Sequence, residues 1–153
     1  MAYTWRGKKF DEFNVGDEFT TASRTVTEGD VALFAGLSGD YNPLHTDDEF
    51  GKKTPFGGRI AHGMLIASIA TGQANQLGIF EGTSLALLNM GIKFTGATKF
   101  GDTVHTVLKV TERKESSKPD KGIVTFEVKT YNQKSECIVD MQWVVMLRRE
   151  AKQ

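Results

Sequence analysis

Residues 63–78, GMLIASIATGQANQLG, are apolar on most sides over their first turns, and no charge follows until Glu81. A segment of this length and pattern predicts a buried helix, with Gly78 placed where a helix C-cap belongs. The chain beyond it differs in kind. Residues 84–100, 103–113, 123–132 and 137–148 are rich in Val, Thr, Ile and Phe, and Gly- or Ser-containing turns separate them. They predict four long strands in an antiparallel meander. In the second strand Val104, Thr106, Leu108 and Val110 alternate with His105, Val107 and Lys109. Both sets contain apolar residues, which leaves one end or face of the sheet free to meet a second subunit.

Upstream, Val15-Gly16-Asp17 reads as a turn and residues 18–26 alternate as a strand. Thr27 with Asp30 forms a capping pattern, and Val31, Leu33, Phe34 and Leu37 recur at helical spacing until Ser38-Gly39 ends the run. Pro43 is expected to keep residues 39–45 out of regular structure. Residues 46–61 hold Gly51, Pro55, Gly57 and Gly58, which predicts one helical turn and then a loop. The element order is an α+β layout in which one sheet wraps one apolar helix, within a single domain spanning 1–153.

The 153 residues carry 19 Lys+Arg and 19 Asp+Glu, so no basic field is available for a phosphate backbone and no nucleic-acid partner is expected. Hydrophobic residues at 39% suffice for a packed core. Cys137 is the single cysteine, which excludes an internal disulfide; one thiol and three histidines make no zinc framework. The start, MAYTWRGKKFDEF, places charges where a signal peptide would be apolar, and no run approaches the roughly 18 apolar residues of a membrane span. A cytoplasmic protein without membrane association is expected. GxGxxG and P-loop patterns are missing, and neither Ser38 nor Ser68 has the GxSxG setting of a hydrolase elbow.

Two segments can carry chemistry. Asp40, Asn42 and His45 put an acid, an amide and an imidazole within six positions, where a turn can let Asp40 and His45 share one water molecule. The same residues could instead serve as turn caps. In Arg59-Ile60-Ala61-His62-Gly63-Met64 the glycine opens the buried helix, where unpaired N–H groups and a partial positive charge can polarise a carbonyl oxygen. The alternative is that Gly63 serves only the turn and His62 only the core or a cap. His105 and Cys137 receive no role.

Ser38-Gly39-Asp40-Tyr41-Asn42-Pro43-Leu44-His45, followed by Ile60-Ala61-His62-Gly63-Met64-Leu65, resembles the signature of MaoC-like dehydratases, which include the (R)-specific enoyl-CoA hydratases. The resemblance spans almost the whole chain. It implies a hot-dog fold, a curved antiparallel sheet around one long helix, and a homodimer or higher assembly joined through sheet edges. It also implies reversible syn addition of water to a trans-2-enoyl thioester of short or medium chain, giving the (R)-3-hydroxyacyl product. By position, Asp40 and His45 match the catalytic pair, Gly63 the N–H donor to the thioester carbonyl, and Asn42 a supporting residue. Phe56, His62, Met64, Leu65 and Ser68 complete the expected substrate-binding set. Lys52, Lys53, Arg59, Lys93 and Lys99 are available to coenzyme A phosphates. No metal or separate cofactor is expected, since coenzyme A enters as part of the acyl-CoA substrate. A hot-dog thioesterase and a non-catalytic acyl-CoA binding module are the alternatives.

Overall fold

The computed structural model describes residues 1–150, so 151–153 of the expected 1–153 span lie outside the described residues. After a single 3-10 turn at Phe10–Glu12 come β1 (Glu18–Thr20), β2 (Arg24–Thr25), α1 (Glu28–Ser38), α2 (Pro43–Thr46), α3 (Asp48–Lys52) and α4 (Gly63–Gln76). Four long strands complete the chain: β3 (Ser84–Phe94), β4 (Thr103–Glu115), β5 (Lys121–Tyr131) and β6 (Cys137–Arg148). Among the described residues no helix is long and apolar enough to cross a membrane.

The sheet is antiparallel with order β1-β4-β5-β6-β3, and β2 pairs with β4 beside β1. This corrects the expected meander: β4, β5 and β6 are sequential neighbours, but β3 lies against β6 at the far edge. The connection from β3 to β4 must therefore cross the width of three strands. Residues 95–100, expected to prolong β3, leave it and pass beside the 60–62 segment through an Ile60–Lys99 bridge. In β4 the set Val104, Thr106, Leu108 and Val110 is buried, as the alternation requires. Together with Phe126, Val128, Met141 and Trp143 it receives the buried face of α4, formed by Leu65, Ile66, Ile69, Ala70 and Ala74.

The strand expected over 18–26 is split in two, and Gln73 accounts for the break. This α4 amide is only 4% exposed. Its Nε2 donates to the carbonyls of Ala22 and Val104, both at 2.9 Å, and its Oε1 accepts from Thr106 Oγ1 at 3.1 Å. Thr106 Oγ1 in turn lies 3.0 Å from Thr130 Oγ1. Where the edge breaks between β1 and β2, a helix side chain thus bonds to the backbone on both sides of the gap, at Ala22 and at Val104.

Helix α1 begins with the expected capping box. Asp30 N–H donates to Thr27 Oγ1 at 3.2 Å, and Thr27 N–H donates to the Asp30 carboxylate at 2.9 Å. Its buried stripe is narrower than expected: Val31 and Ala35 are inside, whereas Leu33 and Leu37 are exposed, because the helix touches α4 along one line only.

Replacing Gln73 with Leu removes three hydrogen bonds of the α4 amide, two to carbonyls and one from the Thr106 hydroxyl. It should cost on the order of 3 kcal/mol, read as a fall of about 6–12 °C in Tm by thermal unfolding. Burial pushes the Asp30 carboxyl up, but hydrogen bonds from Thr27 and the nearby Arg24 outweigh it and hold the carboxyl below its ordinary value. Its stabilisation is therefore present above the ordinary carboxylate range and lost as pH falls through the lowered value. Asp30→Ala should cost about 1 kcal/mol at neutral pH. The gap from the wild type should narrow below about pH 4, as urea unfolding at several pH values would show.

Candidate active site

Helix α1 ends at Gly39, whose φ of +78° suits glycine and turns the chain toward the sheet. From there each polar side chain fixes the next backbone step. Asp40 N–H donates to Ser38 Oγ at 3.2 Å, Asn42 N–H to Asp40 Oδ1 at 3.1 Å, and Leu44 N–H to Asn42 Oδ1 at 3.0 Å. Asn42 is the N-cap of α2 and Pro43 its first residue. The expectation that Pro43 excludes helix is thereby corrected: proline at the first helical position lacks only an N–H that would have no partner there. The one-turn helix delivers His45 inward.

A second segment meets this one. Ile60 N–H donates to Leu44 O at 3.2 Å, and His45 Nδ1 lies 2.7 Å from Ile60 O. A carbonyl only accepts, so His45 carries a hydrogen on Nδ1, and in the neutral imidazole the lone pair is on Nε2. His62 Nε2 lies 2.9 Å from Asp40 O, so by the same argument His62 is the Nε2–H tautomer. The two imidazoles stack, with ring centroids 3.9 Å apart and an interplanar angle of 30°. One carboxylate oxygen of Asp40 and one ring nitrogen of each histidine lie within 4.8 Å of one another.

Arg59 holds the second segment in place. Its guanidinium donates to Asp48 of α3 and Glu28 of α1, each at 2.5 Å, and stacks over Phe100. Its side chain is 17% exposed, which removes Arg59 from the cations free to meet a coenzyme A phosphate.

Gly63 is the first residue of α4, and no side chain caps that helix start. A Cβ at position 63 would lie 2.7 Å from the Phe94 ring, so glycine is needed there for close packing; its φ is not left-handed, and the turn itself makes no such demand. These residues border a cavity of about 510 Å³, with Phe56, Met64 and Phe94 among its apolar walls. Asp40, His45, His62 and Gly63 therefore come together with Phe56 and Met64 as expected. Asn42, Leu65 and Ser68 do not line the cavity. Asn42 is spent on the α2 cap, Leu65 is buried in the core, and the Ser68 hydroxyl donates to Met64 O at 2.7 Å on the exposed side of α4.

Sequence reasoning missed Phe94, Phe34 and the Ile60 carbonyl. A backbone carbonyl leaves no trace in residue identity, and in the sequence Phe94 reads only as one apolar residue within the strand expected over 84–100.

The geometry can be set beside known proteins. Residues 12–132 match the family described as the MaoC like domain. The chain is 35% identical over 117 residues to the (R)-specific enoyl-CoA hydratase of Rhodospirillum rubrum, covering 76% of each chain. It is 34% identical over 125 residues to the (R)-specific enoyl-CoA hydratase of Aeromonas caviae, covering 82% of this chain and 89% of that one. A solved structure named as the monoamine oxidase regulatory protein of Archaeoglobus fulgius superposes with a TM-score of 0.88 at 33% identity, over 94% of this chain and 95% of the other. The sheet around α4 is the hot-dog fold. With that fold, the segment from Asp40 to His45 and these relatives in agreement, the chain belongs to the MaoC-like dehydratase family.

Proposed function

We propose that the protein is an (R)-specific enoyl-CoA hydratase, equally a 3-hydroxyacyl-CoA dehydratase, acting on trans-2-enoyl thioesters of short or medium chain. The observation that carries this reading is the pairing of Asp40 and His45 beside one cavity, with a carboxylate oxygen and a ring nitrogen within 4.8 Å. One water spans such a gap with two ordinary hydrogen bonds.

His45 is the side chain that moves the proton. Its Nδ1 is committed to Ile60 O, which leaves Nε2 as the lone pair for the water. As the water oxygen bonds to C3, one of its protons passes to Nε2, and the imidazolium returns a proton to C2 on the same face. Asp40 accepts the second hydrogen of the water and sets its orientation. Charge grows on the thioester oxygen as the π pair moves, and the Gly63 N–H at the uncapped start of α4 supports a donor role at that oxygen.

The substrate supplies coenzyme A, and no metal or other cofactor enters. Asp40, His45 and His62 are a candidate metal cluster by proximity. However, the His62 nitrogen nearer the carboxylate, 4.0 Å from Asp40 Oδ2, already donates to Asp40 O. A cytoplasmic homodimer or higher assembly belongs to the same reading. The open edge at β3 supports it: this strand of eleven residues pairs with β6 alone, and Leu85, Leu87 and Leu88 are exposed.

With crotonyl-CoA, the wild type should consume the enoyl-thioester absorbance and give the (R)-3-hydroxy product. Asp40→Asn and His45→Gln should each lower kcat by about 10²- to 10⁴-fold while keeping the wild-type Tm. Near wild-type turnover in either variant would end that residue's assignment, and release of free thiol in place of hydration would favour the thioesterase. Dialysis against EDTA should leave the rate unchanged. A loss restored by Zn²⁺ would instead make Asp40, His45 and His62 ligands.

A further inference from the structure

His62 is the most enclosed polar group of the site, 2% exposed, and the proposed mechanism gives it no proton to move. Its Nε2–H is held by the carbonyl of Asp40 at 2.9 Å. Its Nδ1 is buried and has no hydrogen-bond partner. One ring nitrogen is thus spent on structure, and the other is cut off from solvent and from substrate protons. Yet the ring touches both members of the pair: it lies face to face with His45 at 3.9 Å, and Nε2 stands 4.0 Å from Asp40 Oδ2. Phe34 of α1 supports the ring from another side, with centroids 4.9 Å apart.

We propose that His62 is the positioning residue of this site, the single side chain that sets the distance between the Asp40 carboxylate and the His45 imidazole. The inference rests on the hydratase reading for its kinetic consequences, but its structural content stands apart from it. The chemistry explains why the position holds histidine. Phenylalanine could fill the same volume and stack on His45, but it would leave the Asp40 carbonyl without its donor. Glutamine could donate to that carbonyl, but it has no ring face to hold the imidazole. Only a ring with an N–H at one edge does both. His62 also precedes Gly63, so the residue that spaces the pair adjoins the helix start proposed to meet the thioester oxygen.

The position carries a cost that supports a specific demand on it. A buried nitrogen without a partner is unfavourable. An apolar ring would avoid that penalty, so the arrangement is justified by the donor edge and not by packing.

The test compares His62→Phe, His62→Gln and both changes in the Asp40→Asn background, assayed by hydration of crotonyl-CoA, with circular dichroism and Tm to confirm folding. A misplacement near 1 Å can cost about 100-fold in rate. His62→Phe should accordingly lower kcat by about 10- to 100-fold with KM almost unchanged. His62→Gln should recover part of the loss, since it restores the donor. In the Asp40→Asn protein the change to Phe should cost about twofold at most, because the group it positions is already disabled. An unchanged kcat in His62→Phe would overturn the proposal. So would a full additional loss in the Asp40→Asn background, or the disappearance of one limb of the pH profile, which would make His62 itself the acid or base. A crystal structure of His62→Phe keeps the inference testable if the wild type hydrates no enoyl thioester. The Asp40 carboxylate should move relative to the His45 ring by more than about 0.5 Å; an unmoved carboxylate would overturn the positioning role. Wild-type inactivity with a moved carboxylate would count against the hydratase reading alone.

Discussion

Helix α4 must hide Leu65, Ile66, Ile69, Ala70 and Ala74 from water, and everything else in the structure is arranged around that requirement. Each large side chain in that group contributes about 1.5–3 kcal/mol on burial. The cover comes from alternate residues of β4, β5 and β6, so the seat of the helix on the sheet is fixed by side-chain interdigitation. A helix so seated has its first residue fixed in space. Gly63 then stands beside the 60–62 segment, and the site is assembled at that end because the helix cannot slide without exposing its apolar face.

The seat also explains the polar residue on the buried face. Gln73 looks out of place among Ile69, Ala70 and Ala74, yet it reaches the Ala22 carbonyl in the lapse between β1 and β2 and the Val104 carbonyl of β4. A longer, unbroken first strand would have removed the need for it. Helix and strand break are therefore matched features. The Thr106 and Thr130 hydroxyls extend the match into β4 and β5, so that the polar network also fixes the helix along its axis.

Sequence periodicity was sufficient for α4 and for β6, whose bounds agree with the turn residues that flank them. It was insufficient where the answer depends on partners. Alternation identifies β3 as a strand but cannot say that it pairs with β6 in place of β4, because that choice is made by the crossing of residues 95–100 beneath the site. Leu33 and Leu37 have helical spacing, yet they are exposed because α1 meets α4 along a single line. Pro43 breaks a helix only from inside one, and here its position makes it a first residue. At the site, Asp40 and His45 are legible because only four residues and a turn separate them. The contacts from His45 to Ile60 O and from His62 to Asp40 O span 15 and 22 residues, and no local pattern encodes them.

Those two long-range contacts limit what the site can do with protons. Two histidines offer four ring nitrogens. Two of these are committed to backbone carbonyls and a third, His62 Nδ1, is enclosed without a partner. That leaves His45 Nε2 as the one nitrogen of the two rings open to a new partner, in a ring close to the Asp40 carboxylate. A single free nitrogen suits the proposed reaction, in which it takes a proton from a water and returns one to the adjacent carbon on the same face while the carboxylate orients that water. The restriction is built from the backbone: Ile60 O and Asp40 O are held by the loop that Arg59 clamps and by the turn that Gly39 begins. A change at either support, well away from the reacting atoms, would therefore alter which nitrogen carries the hydrogen before it altered any residue that meets the substrate.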